Sequence, residues 1–174
     1  YNMYAALDCP RGKIWRNSLY NKYKENRVYD DTFMGGPFFK LGIDLLEELK
    51  IPTLKHPKLE ADDCNALFTN YIKFKEPDSK IYIIANDMDY LQLNCELDLF
   101  CKIVIGDKSD DIPPLFKKCG PKTAINYFNN KEEFVKKLQK ENVYDQYLRN
   151  KKLVDFNEIP EELVTEFMLS ISLI

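Results

Sequence analysis

Three carboxylates fall within four residues at Glu60, Asp62 and Asp63, at the front of an amphipathic run in which Ala61, Cys64, Phe68 and Tyr71 recur at helical spacing. The ordinary explanation is an acidic helix start, where free backbone N–H groups favour negative charge by ~0.3–1 kcal/mol per group. Two further acidic clusters follow. Asp87 and Asp89 come after Ile81–Ala85, a β-branched and aromatic run expected to be a buried strand. A cap on a helix beginning at Tyr90 explains one of these acids but not both. Asp107, Asp110 and Asp111 come after a run ending at Ile105, and their ordinary explanation is a polar turn ahead of Pro113. Asp8 ends a fourth apolar run, Met3–Leu7. Carboxylates at the ends of separate strands share one edge of an open α/β sheet, the edge at which ligands bind. If these groups converge, their mutual repulsion calls for hard divalent cations with oxygen ligands, of which Mg²⁺ is the usual one.

The elements that must position these acids alternate. Met3–Leu7 is an expected strand. Trp15, Leu19, Tyr20 and Tyr23 have helical spacing and are expected in the core, and Lys24 and Arg27 would share one helix face. Gly35-Gly36-Pro37 is expected to break a helix. Phe38–Leu49 is an expected helix, with Phe39, Ile43, Leu46 and Leu49 on its apolar side. Ile51–Leu54 is a short strand candidate leading to the acidic helix. The expected fold is therefore α/β, a mostly parallel central sheet with helices on both faces. Amphipathic stretches at Val135–Leu138 and Tyr144–Leu148 and a final helix opening at Pro160 imply a helical C-terminal region.

With 174 residues, nearly half of them hydrophobic, one compact unit is expected. No apolar run approaches the ~20 residues that span a bilayer, and no signal peptide is recognised. Five cysteines without a CxxC pair imply reduced, buried thiols in an intracellular protein. His56, ahead of Pro57, is expected on the surface. The net charge of −3 hides a basic–acidic–basic layout: six basic residues against one acid from Arg11 to Arg27, and ten against four from Pro113 to Lys152. Such a distribution suits a metal site flanked by phosphate-binding surfaces.

The blocks LEADDCNA, IIANDMDYLQL and IGDKSDDIPP, followed by CGPKTAINYF, resemble the 5′-nuclease superfamily of flap endonucleases and 5′→3′ exonucleases, whose fold is PIN-like. The segment DCPRGKIWRNSLYNKYKENR adds the family's Asp, spaced Arg and Tyr-Lys-x-x-Arg element. The resemblance runs from about Tyr4 to Thr123 and is weaker beyond. It implies a nuclease core over residues 1–111 and a helical duplex-DNA-binding region over 112–174. It implies two Mg²⁺ ions, with Mn²⁺ as a substitute. Asp8, Glu60 and Asp62 would hold the first, and Asp62, Asp87, Asp89 and Asp107 the second. Asp63 and Asp110 would join directly or through water. Lys24 would face the scissile phosphate, assisted by Arg27. Arg11 and Arg16, with Lys117, Lys118, Gly120, Lys122 and Thr123 of a helix–turn–helix spanning Pro113–Phe128, would contact DNA. The implied partner is DNA with a 5′ end, a flap or a single-strand/duplex junction, bound by a monomer away from membranes.

The sequence departs from the family pattern in four places. The family's first Asp has no counterpart and is expected ahead of Tyr1. The arch between Arg27 and Leu41 is short. A strand and crossover are missing between Leu93 and Asp98, so an interruption of the chain is expected there, and a second is considered between Arg27 and Gly35. Lys118 stands where the first glycine of a Gly-x-Gly turn belongs, which weakens the case for the K⁺ ion that such a turn helps to hold. Two alternatives remain: an RNA-cleaving nuclease of PIN type, which would need fewer acids, and a nucleic-acid-binding relative without catalysis.

Overall fold

The structure, a computed structural model, describes residues 2–27 and 35–171. They form two compact units. One is built from the described parts of Tyr1–Ile14, Arg27–Ile81 and Pro160–Ile174, the other from Trp15–Asn26 and Tyr82–Ile159.

In the first unit β1 (Ala5–Ala6) pairs in parallel with β2 (Thr53–Leu54), Ala5 opposite Thr53 and Ala6 opposite Leu54. Parallel pairing matches the expectation, but among the described residues the sheet has only these two strands. Between them lies helix α1 (Gly35–Glu48), and after β2 comes α2 (Ala61–Lys75). The Gly-Gly-Pro element opens α1 instead of breaking it. Proline within the first turn loses an N–H that has no helical partner there. The helix stops where Lys50 turns left-handed (φ 54°), and Ile51 N–H reaches back to Leu46 O at 2.9 Å. The expected apolar side of α1 is largely uncovered, with Phe39, Ile43 and Leu49 exposed and Leu46 half-buried. The core of this unit instead gathers Leu54, Leu59, Cys64, Ala66 and Leu67, and Tyr4 packs on Phe68 with ring centroids 4.6 Å apart. Leu163 and Phe167 of α7 (Glu161–Ile171) are also buried. His56 is not a surface residue. It is buried, with Nε2 3.0 Å from Glu166 Oε2 and Nδ1 accepting from Lys58 N–H at 3.3 Å.

The second unit is helical: α3 (Glu96–Ile105), α4 (Pro121–Asn129), α5 (Lys131–Glu141) and α6 (Tyr144–Val154). Phe134 of α5 is the hub of its core, with ring centroids 4.9 Å from Phe100, 5.8 Å from Tyr127 and 5.5 Å from Tyr147. Asn150 of α6 is fully buried and donates to the carbonyls of Ile103 (3.1 Å) and Pro113 (2.8 Å), which ties α6 to the end of α3 and the turn beyond it. Gly106 closes α3 with φ 77°, and a Cβ there would lie 2.4 Å from Ile112 O, so this position admits only glycine.

Three further expectations fail here. Ile81–Ala85 forms no strand, and Ile84 is 98% exposed. A β-branched run becomes a strand only beside a partner edge, and no described strand pairs with it. Trp15–Tyr23 is not an α-helix but a 3-10 turn at Trp15–Ser18 followed by further turns. Ser18 Oγ donates to Trp15 O at 2.7 Å, a local bond that competes with helix continuation. Trp15 and Tyr23 are buried as expected, whereas Leu19 is exposed. Finally, no interruption separates Leu93 from Asp98: a 3-10 turn at Met88–Leu93 passes through Asn94 and Cys95 directly into α3. The second suspected interruption, between Arg27 and Gly35, falls largely outside the described residues.

Candidate metal centre

The N-terminus of α2 collects the acids of the first unit. Glu60 is its N-cap and closes a capping box with Asp63, whose Oδ2 accepts from Glu60 N–H at 3.2 Å. Asp62 Oδ1 accepts from Asp63 N–H at 2.8 Å. Asp8, two residues beyond β1, reaches the same helix end and accepts from Ala61 N–H at 2.9 Å. One oxygen from each of Glu60, Asp62 and Asp63 lies within 4.8 Å of the others, close enough to ligate one ion. Glu60 and Asp63 are buried while Asp8 is exposed. The charge is felt by the neighbouring thiols. Burial, then Glu60, Asp8 and Asp63, push Cys9 up to about 11, and burial followed by Asp63 pushes Cys64 higher still. An all-oxygen set packed this closely suits a hard divalent cation.

The acids of the second unit are organised differently. Asp87 caps the 3-10 turn, accepting from Asp89 N–H at 2.9 Å. Asp107 accepts from both the N–H (2.7 Å) and the hydroxyl (2.6 Å) of Ser109. It also forms an isolated antiparallel bridge with Ile112. Lys102 of α3 links two of these carboxylates, bonding to Asp89 Oδ1 and lying 2.9 Å from Asp107 Oδ2. Burial alone would push Asp107 up, but hydrogen bonds from Ser109 and Lys102 outweigh it and hold it down to about 2. For Asp89, burial prevails over the lysine and raises it. Burial of Lys102 opposes its charge, but the two carboxylates keep it protonated.

Asp110 is buried beside Lys24. Its carbonyl accepts from Lys24 N–H at 3.0 Å, and its carboxylate lies 3.9 Å from Lys24 Nζ and 3.4 Å from Tyr23 OH. Lys24 is therefore not an exposed residue on a helix face. It is buried, left-handed (φ 56°), with its ammonium 5.0 Å above the Tyr23 ring. Asp111, also left-handed, accepts from Asn26 N–H at 2.7 Å and pins the same turn.

The basic candidates divide. Arg16 is 2% exposed, donates Nε–H to Leu153 O at 2.8 Å and stacks on Trp15 at 4.6 Å. This place does not fit the expected DNA contact; Arg16 is a packing residue of the second unit. Arg11 is half-buried and donates to Arg27 O at 3.0 Å, and the backbone of Arg27 is exposed to solvent. Lys117, Lys118, Lys122 and Thr123 are exposed around the start of α4, where Gly120 is the N-cap. Lys118 takes the left-handed conformation (φ 58°) that glycine adopts most readily. Pro113–Gly120 contains bends and turns but no helix, so only the second helix of the expected helix–turn–helix is formed within Pro113–Phe128.

Sequence reasoning missed Lys102. The signal was present, since it is the single charge in the apolar run from Leu99 to Ile105.

The family model for the 5′-3′ exonuclease N-terminal resolvase-like domain matches residues 1–109. The chain belongs to this 5′-3′ exonuclease family. Among its relatives, a protein named Ribonuclease H from Enterobacteria phage T4 is 25% identical over 206 residues, covering 94% of this chain and 67% of its own length. A 5′-3′ exonuclease of Buchnera aphidicola subsp. Acyrthosiphon pisum is 29% identical over 158 residues, covering 74% of this chain and 54% of its own. The chain thus spans about two thirds of the first relative and about half of the second. Phage T5 5′-exonuclease with bound zinc superposes with a TM-score of 0.73 at 17% identity, over 98% of this chain and 83% of that one. A phage T5 flap endonuclease in a pseudo-enzyme–product complex with DNA and metal ions gives 0.66 at 17% identity, over 97% and 80%. This likeness gives the family fold, PIN-like and resolvase-like, here a largely helical chain with a small parallel sheet.

Proposed function

We propose that this chain is the catalytic part of a structure-specific 5′ nuclease that hydrolyses DNA phosphodiester bonds at a 5′ end, flap or junction. The observation that carries this reading is the gathering of Asp8, Glu60, Asp62 and Asp63 at one helix N-terminus in a member of the 5′-3′ exonuclease family. Asp8, Glu60 and Asp62 would hold one divalent cation, and Asp87, Asp89 and Asp107 a second, with Asp63 and Asp110 joining directly or through water. When bound, Mg²⁺ or Mn²⁺ supplies an activated water and neutralises charge on the leaving oxygen.

The chain's own groups orient and bind. Asp110 and the Tyr23 ring hold the Lys24 ammonium, which is proposed to meet the charge that develops on the scissile phosphate, with Arg27 assisting. Arg11 is proposed as a further phosphate contact. Lys117, Lys118, Lys122 and Thr123 are proposed to grip duplex phosphate from the start of α4. Gly120 leaves the N-terminal amides of that helix open to an anion. A K⁺ ion at the turn before α4 belongs to the same proposal, and Lys118 competes with it by bringing its own ammonium.

The test uses labelled 5′-flap DNA, nicked duplex, single-stranded RNA and an RNA–DNA hybrid, with Mg²⁺, Mn²⁺ or EDTA. The hybrid is included because one relative is named Ribonuclease H. Expected is metal-dependent cleavage near the DNA 5′ end, abolished by Asp62→Asn. Cleavage of RNA alone would favour the PIN-type alternative, and DNA binding without cleavage in either metal would favour a non-catalytic role.

A further inference from the structure

Lys102 stands out once the acids have been assigned. Its ammonium is in a region of α3 that is otherwise apolar, its side chain is 19% exposed, and its partners Asp89 and Asp107 are as little exposed, at 18% and 20%. Removing an ammonium from water is costly unless carboxylates repay it, and two carboxylates held together are equally costly without a cation. Each side of this arrangement therefore stabilises the other. Both carboxylates are among those proposed to hold the second divalent cation. An ammonium and a dication cannot engage the same oxygens at bonding distance, because they repel and compete for the same lone pairs.

We propose that Lys102 is a resident counter-ion that occupies the Asp89–Asp107 subsite before metal binds and swings out as the divalent cation enters. The inference rests on the metal reading given under the proposed function. Lysine suits such an exchange: it is a compact charge on a flexible four-carbon stem, so it can leave without moving α3. In the metal-free protein it keeps the second group of acids assembled, so metal entry is an exchange of cations within a preformed site. The exchange lowers apparent metal affinity, and by reciprocity bound metal weakens the hold on Lys102.

Three measurements on the full, EDTA-stripped chain test this without reference to activity. Mn²⁺ binding is followed by calorimetry and by the loss of its free spin-resonance signal. Lys102→Met is expected to bind the second Mn²⁺ on the order of tenfold more tightly than wild type, and Lys102→Arg, which keeps the charge, to resemble wild type. Thermal melting in EDTA is expected to fall by several degrees in Lys102→Met, and saturating Mn²⁺ to close the gap. The third measurement needs no variant. Acetylation of Lys102 in wild type, quantified by peptide mass spectrometry, is expected to be slow in EDTA and to accelerate when Mn²⁺ is added. Equal or weaker Mn²⁺ binding by Lys102→Met, or Lys102 labelling that is unchanged or slowed by Mn²⁺, overturns the displacement. Absence of Mn²⁺ binding in wild type and variants alike overturns the metal reading itself and this inference with it.

Discussion

Arg16 separates what its sequence neighbourhood suggests from what its surroundings impose. As one of six basic residues between Arg11 and Arg27 it belongs to an apparent phosphate-binding stretch. In the structure its guanidinium is inside the second unit, donating to Leu153 O at 2.8 Å and facing Trp15 at 4.6 Å and Tyr23 at 5.9 Å. Arg16→Met keeps the apolar stem and removes the charge. The lost hydrogen bond from a charged donor is worth ~1.5–3 kcal/mol, and the cation–π contact with Trp15 adds ~1 kcal/mol. Release of a desolvated charge offsets part of this, which leaves a net loss of about 2–3 kcal/mol. For a chain of this size each kcal/mol moves the melting temperature by ~2–4 °C, so a fall of about 4–12 °C is expected. Urea unfolding should show a lower midpoint with an unchanged slope. Binding to a short DNA duplex, measured from low to moderate salt, should keep the wild-type salt dependence. A variant of wild-type stability whose salt slope is shallower by about one unit would refute this reasoning and restore Arg16 as a phosphate contact.

Gly106→Ala forces a left-handed residue against Ile112 O, 2.4 Å from the new Cβ; a loss of about 3 kcal/mol is expected in urea unfolding. Cys9, pushed up to about 11 by burial, Glu60, Asp8 and Asp63, carries only about one thiolate in a thousand at pH 8, so native alkylation by iodoacetamide should be ~100-fold slower than in urea. Asp107 is held down to about 2 from an ordinary 3.8, so its contribution in EDTA is complete above the ordinary value and is lost as pH falls towards 2. The stability gap between wild type and Asp107→Asn should therefore narrow over that acid range in urea melts. Lys122→Ala should weaken duplex binding and make its salt slope shallower by about one unit, while leaving single-turnover cleavage at saturating enzyme unchanged.

The parts of the fold that were legible in the sequence are those set by near neighbours. Helix α2 and its acidic start follow from apolar spacing and capping chemistry within a few residues, and the parallel pairing of β1 with β2 follows from two short apolar runs joined by a helix. The parts that were not legible are decided at long range. Arg16 and Leu153 are 137 residues apart, Tyr23 and Asp110 are 87 apart, and His56 and Glu166 are 110 apart. No local pattern says that a carbonyl or carboxylate will arrive to bury a basic side chain. Ile81–Ala85 fails for the same reason in reverse, since its β propensity is intact but no described strand lies beside it. Gly35-Gly36-Pro37 misleads because proline stops a helix that has begun and favours one that is beginning.

For the acids the ordinary and the functional explanations act together. Asp8, Asp62 and Asp63 each give an oxygen to a backbone N–H at the start of α2. A carboxylate has two oxygens, so capping by one does not prevent coordination by the other. Capping fixes the rotamer of each side chain and so sets the direction of its second lone-pair-bearing atom before any ion arrives. The positive end of the helix macrodipole offsets part of the repulsion among these charges meanwhile. A helix N-terminus can thus assemble a ligand set whose ordering entropy is met during folding. In the second unit, Asp89 and Asp107 meet at the ammonium of Lys102, which takes over the same task.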